Sequence, residues 1–194
     1  MRIEKFFTLS VMIGVLTVGA LGQTRPKALP APPPGFKAIG DSPSTVAMRT
    51  AGVMDVLEAE KPNEGWPGCI VDPKVTFKAS WTNMPGADQN VRMMIEMPEE
   101  PATFSMGTKT EPAGKREHKS GVLKWQKKTV VAAGSSSAKC PGNQVIMHDG
   151  AWVGYVSGKL LGVGVSNLYG PKEAAQVWID DYVDKLKAVV AGQS

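Results

Sequence analysis

Histidine and cysteine are nearly absent from this chain, with two of each in 194 residues. That scarcity removes the commonest routes to metal and nucleophilic chemistry. No CxxC and no Cys–His spacing of the zinc-site type occurs. No GxSxG elbow positions a serine nucleophile, and Gly162-Val163-Gly164 lies inside a strand pattern, where it cannot cradle a phosphate. No apolar run reaches the ~20 residues that a membrane-spanning helix needs. Strong charge of one sign is lacking too. The net charge is +4, well short of a dedicated nucleic-acid binder, so no specific nucleic-acid partner is expected.

The first 22 residues read as an export signal. Arg2 and Lys5 give a positive start, Phe6 to Ala20 forms an apolar core, and Ala20-Leu21-Gly22 is a small-x-small cleavage pattern. Cleavage is expected after Gly22, delivering the chain to the periplasm or the extracellular space. Without Arg2, Lys5 and Glu4 the remainder carries 20 Lys and Arg against 17 Asp and Glu, near neutrality. In an oxidising compartment an even number of cysteines predicts a Cys69–Cys140 disulfide. Closing a loop of about 70 residues, it would contribute roughly 3–5 kcal/mol in the chain-entropy model.

Residues 23–43, with Pro32-Pro33-Pro34, read as a proline-rich linker, and residues 44–194 as one domain. In 44–60, Val46, Thr50, Val53, Met54 and Leu57 share a helical face, with Ser44 as a candidate cap; helix is expected, although Gly52 interrupts and 53–57 also fits a strand. From Lys74 the period becomes two. Val75, Phe77, Ala79 and Trp81 predict a strand, and Val91, Met93, Ile95 and Met97 a second one beside it. Residues 99–120 read as an exposed excursion. Val122–Val131 is a strand with Leu123 and Trp125 on one face. Gln144–His148 and Ala151–Ser157 read as strands joined by an Asp149-Gly150 hairpin turn. Leu160–Leu168 is a last strand whose Gly162 and Gly164 face invites close approach by another element.

That element is expected to be the C-terminal helix. Gly170-Pro171 opens it, and Ala175, Trp178, Ile179, Tyr182, Val183, Leu186, Val189 and Val190 form its apolar stripe. The fold class is therefore α+β, an antiparallel sheet of about five or six strands packed by a long C-terminal helix. This element order resembles that of exported PsbP-type domains and of helix-grip domains. The second resemblance implies an apolar ligand held between sheet and helix.

Three functional readings follow. Seven Lys and Arg stand against two Glu from Lys109 to Lys128. Lys115, Arg116, Lys119, Lys124, Lys127 and Lys128, with Trp125 interleaved, thus form a candidate contact for an anionic polymer, a membrane surface or an acidic protein; a solvated, aggregation-resistant face explains the same lysines. The alternative is a carrier of a small apolar ligand, with Trp81, Met93, Met97 and Trp178 lining the cavity. An enzyme would have to use His148, for which no nucleophile or metal partner is evident. No catalytic residue, cofactor or metal ligand set is assigned. Met84, Met93, Met94, Met97 and Met106 cluster within 23 residues, as soft-metal sites do, but the strand reading turns Met93 and Met97 into the core.

Overall fold

The computed structural model describes residues 28–68, 73–131 and 144–192. The expected signal peptide, Cys69, Cys140 and the Ser135–Ser137 loop lie outside the described residues. The class is α+β, with an antiparallel sheet and a C-terminal helix. Among the described residues the sheet has eight strands, not five or six, in the spatial order Lys37–Ala38 (β1), Met54–Lys61 (β2), Val75–Asn83 (β3), Lys159–Tyr169 (β8), Gln144–Val156 (β7), Gly121–Val131 (β6), Thr108–Glu117 (β5) and Thr103–Ser105 (β4).

Two of the additional strands come from residues 99–120. Thr103–Ser105 (β4) pairs with Thr108–Glu117 (β5), and β5 pairs along its length with Gly121–Val131 (β6). Polarity and Pro112 mask these strands in the sequence. The ladder register shifts between Pro112 and Gly114, and a bulge is where a sheet tolerates a residue lacking a donor. At the opposite edge, Lys37–Ala38 (β1) pairs with Met54–Lys61 (β2).

The segment expected to be one helix divides at Gly52. Pro43–Thr50 (α1) is capped by Ser42, not Ser44: the Ser42 hydroxyl accepts the Thr45 amide at 3.1 Å, and proline opens the first turn. Gly52, at φ 67°, then turns the chain into β2, which pairs with Val75–Asn83 (β3). The second expected strand is instead a helix, Ala87–Glu96 (α2). Its buried positions Ala87 and Val91 are four residues apart, one helical turn, so Val91, Met93, Ile95 and Met97 alternate only by coincidence.

Asp149-Gly150 is not a hairpin turn. Gln144–Val156 (β7) runs through it as one strand with a register shift between His148 and Gly150. The Asp149 carboxylate accepts the Asn167 amide at 2.8 Å, so a side chain fills the gap the bulge leaves in the ladder. The turn falls at Ser157-Gly158, both with positive φ, and leads into Lys159–Tyr169 (β8).

Lys172–Ala191 (α3) packs on the face bearing Leu161, Val163 and Val165, not on the glycine face. Burial of branched side chains outweighs the chance of close backbone approach. Phe77, Trp81, Leu123, Trp152, Ile179, Tyr182 and Leu186 close this layer. Part of the proline-rich segment is docked on it. Phe36 lies 5.7 Å from the Phe77 ring and 5.4 Å from Trp178, Leu29 packs on the core, and the Tyr182 hydroxyl donates to the Pro30 carbonyl at 2.7 Å.

Helix α2 covers part of the other face, against β6, β7 and β8. Register establishes the side. Lys115 is opposite Lys124, both on the face away from Leu123 and Trp125, and the Lys115 ammonium donates to the carbonyls of Ile95 and Met97 at the end of α2. Among the described residues no helix is long and apolar enough to cross a membrane.

Candidate functional site

The basic residues singled out from the sequence are dispersed over both faces, and most are engaged within the fold. Lys115 caps α2. Arg116 Nη2 donates to both carboxylate oxygens of Asp180 at 3.0 Å. Lys119 pairs with Asp184 at 2.5 Å and donates to the Asp180 carbonyl at 3.2 Å. Lys127 pairs with Glu111, as does Lys109 at 2.5 Å, and Lys128 pairs with Asp149. The two ammonium groups hold the Glu111 carboxyl down to about 2. Trp125 is in the core under α3. Among the described residues neither Lys115 nor Lys124 has an ion pair, and Lys115 is instead held by the carbonyls of Ile95 and Met97.

This pairing ties the β5–β6 hairpin to α3 and encloses His118. Its Nε2 is 3.1 Å from Asp180 Oδ1 but not aligned for a hydrogen bond, and Arg116 donates to the same carboxylate. Burial pushes the imidazole below its ordinary value; Asp180 and Asp184 pull it up, and Arg116 and Lys119 push it down. A base that is harder to protonate when folded leaves the unfolded chain binding the proton first. The stability His118 allows is therefore complete above about pH 6.5 and is lost as pH falls towards its folded value. Urea titrations from pH 7.5 to 5 should show the stability gap between wild type and His118→Gln moving against the wild type as pH falls. A constant gap would refute this.

The apolar-ligand set is not brought together. Trp81 is fully buried between sheet and α3. Trp178 lies at the margin of that layer, with the Lys61 ammonium 4.2 Å above its ring. Met93 on α2 and Met97 at its C-terminal end are across the sheet, half exposed at 50% and 46%. His148 Nδ1 is 2.9 Å from the Gly170 carbonyl, a contact at the entry to α3.

What the fold does bring together is methionine. Met84, Met93, Met94 and Met97 line one open groove of about 630 Å³ with Asn90, Glu96 and Leu160. Met93 and Met94 come from α2, Met97 from the residue that ends it and Met84 from the loop ahead of it. Asn90 Nδ2 donates to Met84 Sδ at 3.4 Å, fixing that sulfur beside the helix. Leu160 forms the floor from the glycine face of β8, where Gly162 and Gly164 carry no side chain. Met106, the fifth of the sequence cluster, is at the β4–β5 turn, 97% exposed and not part of the lining. Asn90 and Leu160 were not singled out from the sequence; a helical reading of Ala87, Val91, Met94 and Ile95 would have turned Met93 and Met97 outward. No group of three His, Cys, Asp or Glu suited to a metal occurs among the described residues.

No family profile, curated protein or solved structure matches the chain.

Proposed function

We propose that this chain is an exported, non-enzymatic binding protein whose working surface is the methionine-lined groove on α2. The observation that carries the reading is the groove itself. Its ~630 Å³ falls within the roughly 300–1,000 Å³ usual for small-ligand sites. Methionine is unbranched and polarisable, so four of them make a wall that adapts to its occupant. A core filler would be buried, whereas Met93 and Met97 leave half their surface in water. Export is inferred from the leader Met1 to Gly22 alone.

An anionic partner on the sheet face is less favoured, because most of the cations available to it already have carboxylate or carbonyl partners. A ligand between sheet and α3 is less favoured because Phe77, Trp81, Trp152 and Tyr182 fill that layer. The groove offers a small apolar ligand a seat on the other side.

Nile red tests the groove as a binding surface. Its emission should rise on adding the full chain and should return to the free-dye level with Met93→Glu/Met97→Glu, whose circular dichroism stays that of the wild type. Equal enhancement by the variant would refute the groove.

A further inference from the structure

We propose that the groove is a copper(I) site, with the sulfurs of Met93, Met94, Met97 and Met84 as its ligands. This rests on the reading of the groove as the working surface and names its occupant.

The spacing fits. Met97, the residue that ends α2, follows Met93 by four positions and Met94 by three, the separations at which side chains along a helix become neighbours. Met84 arrives from the preceding loop, and its sulfur, held by Asn90 through one lone pair, keeps another for a metal. Methionine stems have three rotatable bonds, which lets thioethers lining one groove turn towards a shared ion.

The chemistry of the donors selects the ion. Thioether sulfur is soft and uncharged, and such ligands favour Cu(I); zinc is usually held by thiolate, imidazole or carboxylate, and calcium and magnesium by oxygen. Copper(II) prefers tetragonal nitrogen and oxygen sets, which this lining does not supply. Glu96 is the one carboxylate among the lining residues and offsets a single positive charge from the rim. Thiolate and imidazole sites must lose protons to bind a metal and so weaken in acid. A thioether has no proton to lose, so this site would keep its affinity across the pH range of an exported protein.

The test is anaerobic titration of the full chain with Cu(I) against bicinchoninate, repeated with Ag(I) as a redox-inert ion. One equivalent should be withdrawn from the chelator, with the same affinity at pH 5.5 and 7.5. The Met93→Leu/Met94→Leu/Met97→Leu variant should lose on the order of 100-fold or more in affinity. Leucine nearly conserves volume and apolarity, so the same variant should still bind Nile red. In wild-type protein, Ag(I) should shift the NMR signals of the Met84, Met93, Met94 and Met97 methyl groups and leave Met106 unmoved, a readout that needs no variant to fold. Failure of the wild type to take Cu(I), or full retention by the leucine variant, overturns the copper assignment. If Nile red is bound and copper is not, only this assignment falls; if neither is bound, the groove falls with it.

Discussion

Replacing Trp152 with alanine should cost the fold about 3–5 kcal/mol, the range for removing a large buried aromatic side chain. That is a large part of the ~5–15 kcal/mol that holds a domain together, so the variant should melt far below the wild type. Trp152 is fully buried, and its ring lies over the cross-strand pair Gly121–Gly154. A Cβ on Gly154 would fall 2.3 Å from the ring, and one on Gly121 2.7 Å from it and 2.4 Å from the Val153 carbonyl. The indole N–H donates to the His118 carbonyl at 2.9 Å, anchoring the β5–β6 hairpin. Gly154→Ala should therefore be costly alone, by roughly 1–3 kcal/mol of overpacking, and markedly cheaper in the Trp152→Ala background, where the added methyl group enters the vacated space and only the Ser120 carbonyl, at 3.2 Å, still crowds it. A double-mutant cycle in urea measures this coupling. Additive costs would show that the ring and the glycine niche are not complementary.

The same niche shows why some of the architecture was legible in the sequence and some was not. The strand of Val75–Trp81 and helix α3 could be read because one face of each is buried and the other wetter, and burial writes its period into the residue order. The twin strand 144–156 was obscured by Asp149-Gly150, a pair typical of turns. Gly150 is there because the Trp125 ring leaves no room for a Cβ, which would lie 2.5 Å from it, and Asp149 because a bulge needs an acceptor for Asn167. A tertiary requirement was written in the letters of a local one. In β5, charge hid a strand whose Arg116 finds its carboxylate partner in Asp180 of α3, 64 residues along the chain. Such pairings carry no local signature.

The groove was half legible. Five methionines in 23 residues drew attention to the right segment, but Val91, Met93, Ile95 and Met97 fit a period of two as well as 3.6. Ten residues of modest apolarity cannot decide between the two, and the choice determines whether sulfur faces the core or the solvent. Ala87 four residues before Val91, and Gly86 in the left-handed region ahead of it, decide for the helix in three dimensions. The conversion of Met93 and Met97 from core filler to groove wall follows from that one change of period.

Replacing Arg49 with leucine should also be severe, about 3–5 kcal/mol, because it would leave a buried carboxylate without its partner. Asp55 is only 2% exposed, opposite Trp81 on the core face of β2. Its Oδ1 accepts from Arg49 Nε at 2.5 Å and from the Val56 amide at 2.8 Å. The second carboxylate on Arg49, Asp41, is paired at 2.6 Å but stands in solvent. Both carboxylates, Asp41 first, raise the guanidinium above its ordinary range, so it is cationic at any working pH. The two acids should nevertheless respond differently. Asp41→Asn should cost no more than about 1 kcal/mol, as expected for an exposed pair. Arg49→Leu/Asp55→Leu should recover much of the loss, since an apolar pair of suitable volume avoids the desolvation that an unpartnered charge suffers. Urea midpoints for the three variants decide it. Equal costs for Arg49→Leu and Asp41→Asn would mean that Asp55 is reached by water and that the Arg49 contact is a surface pair on both sides.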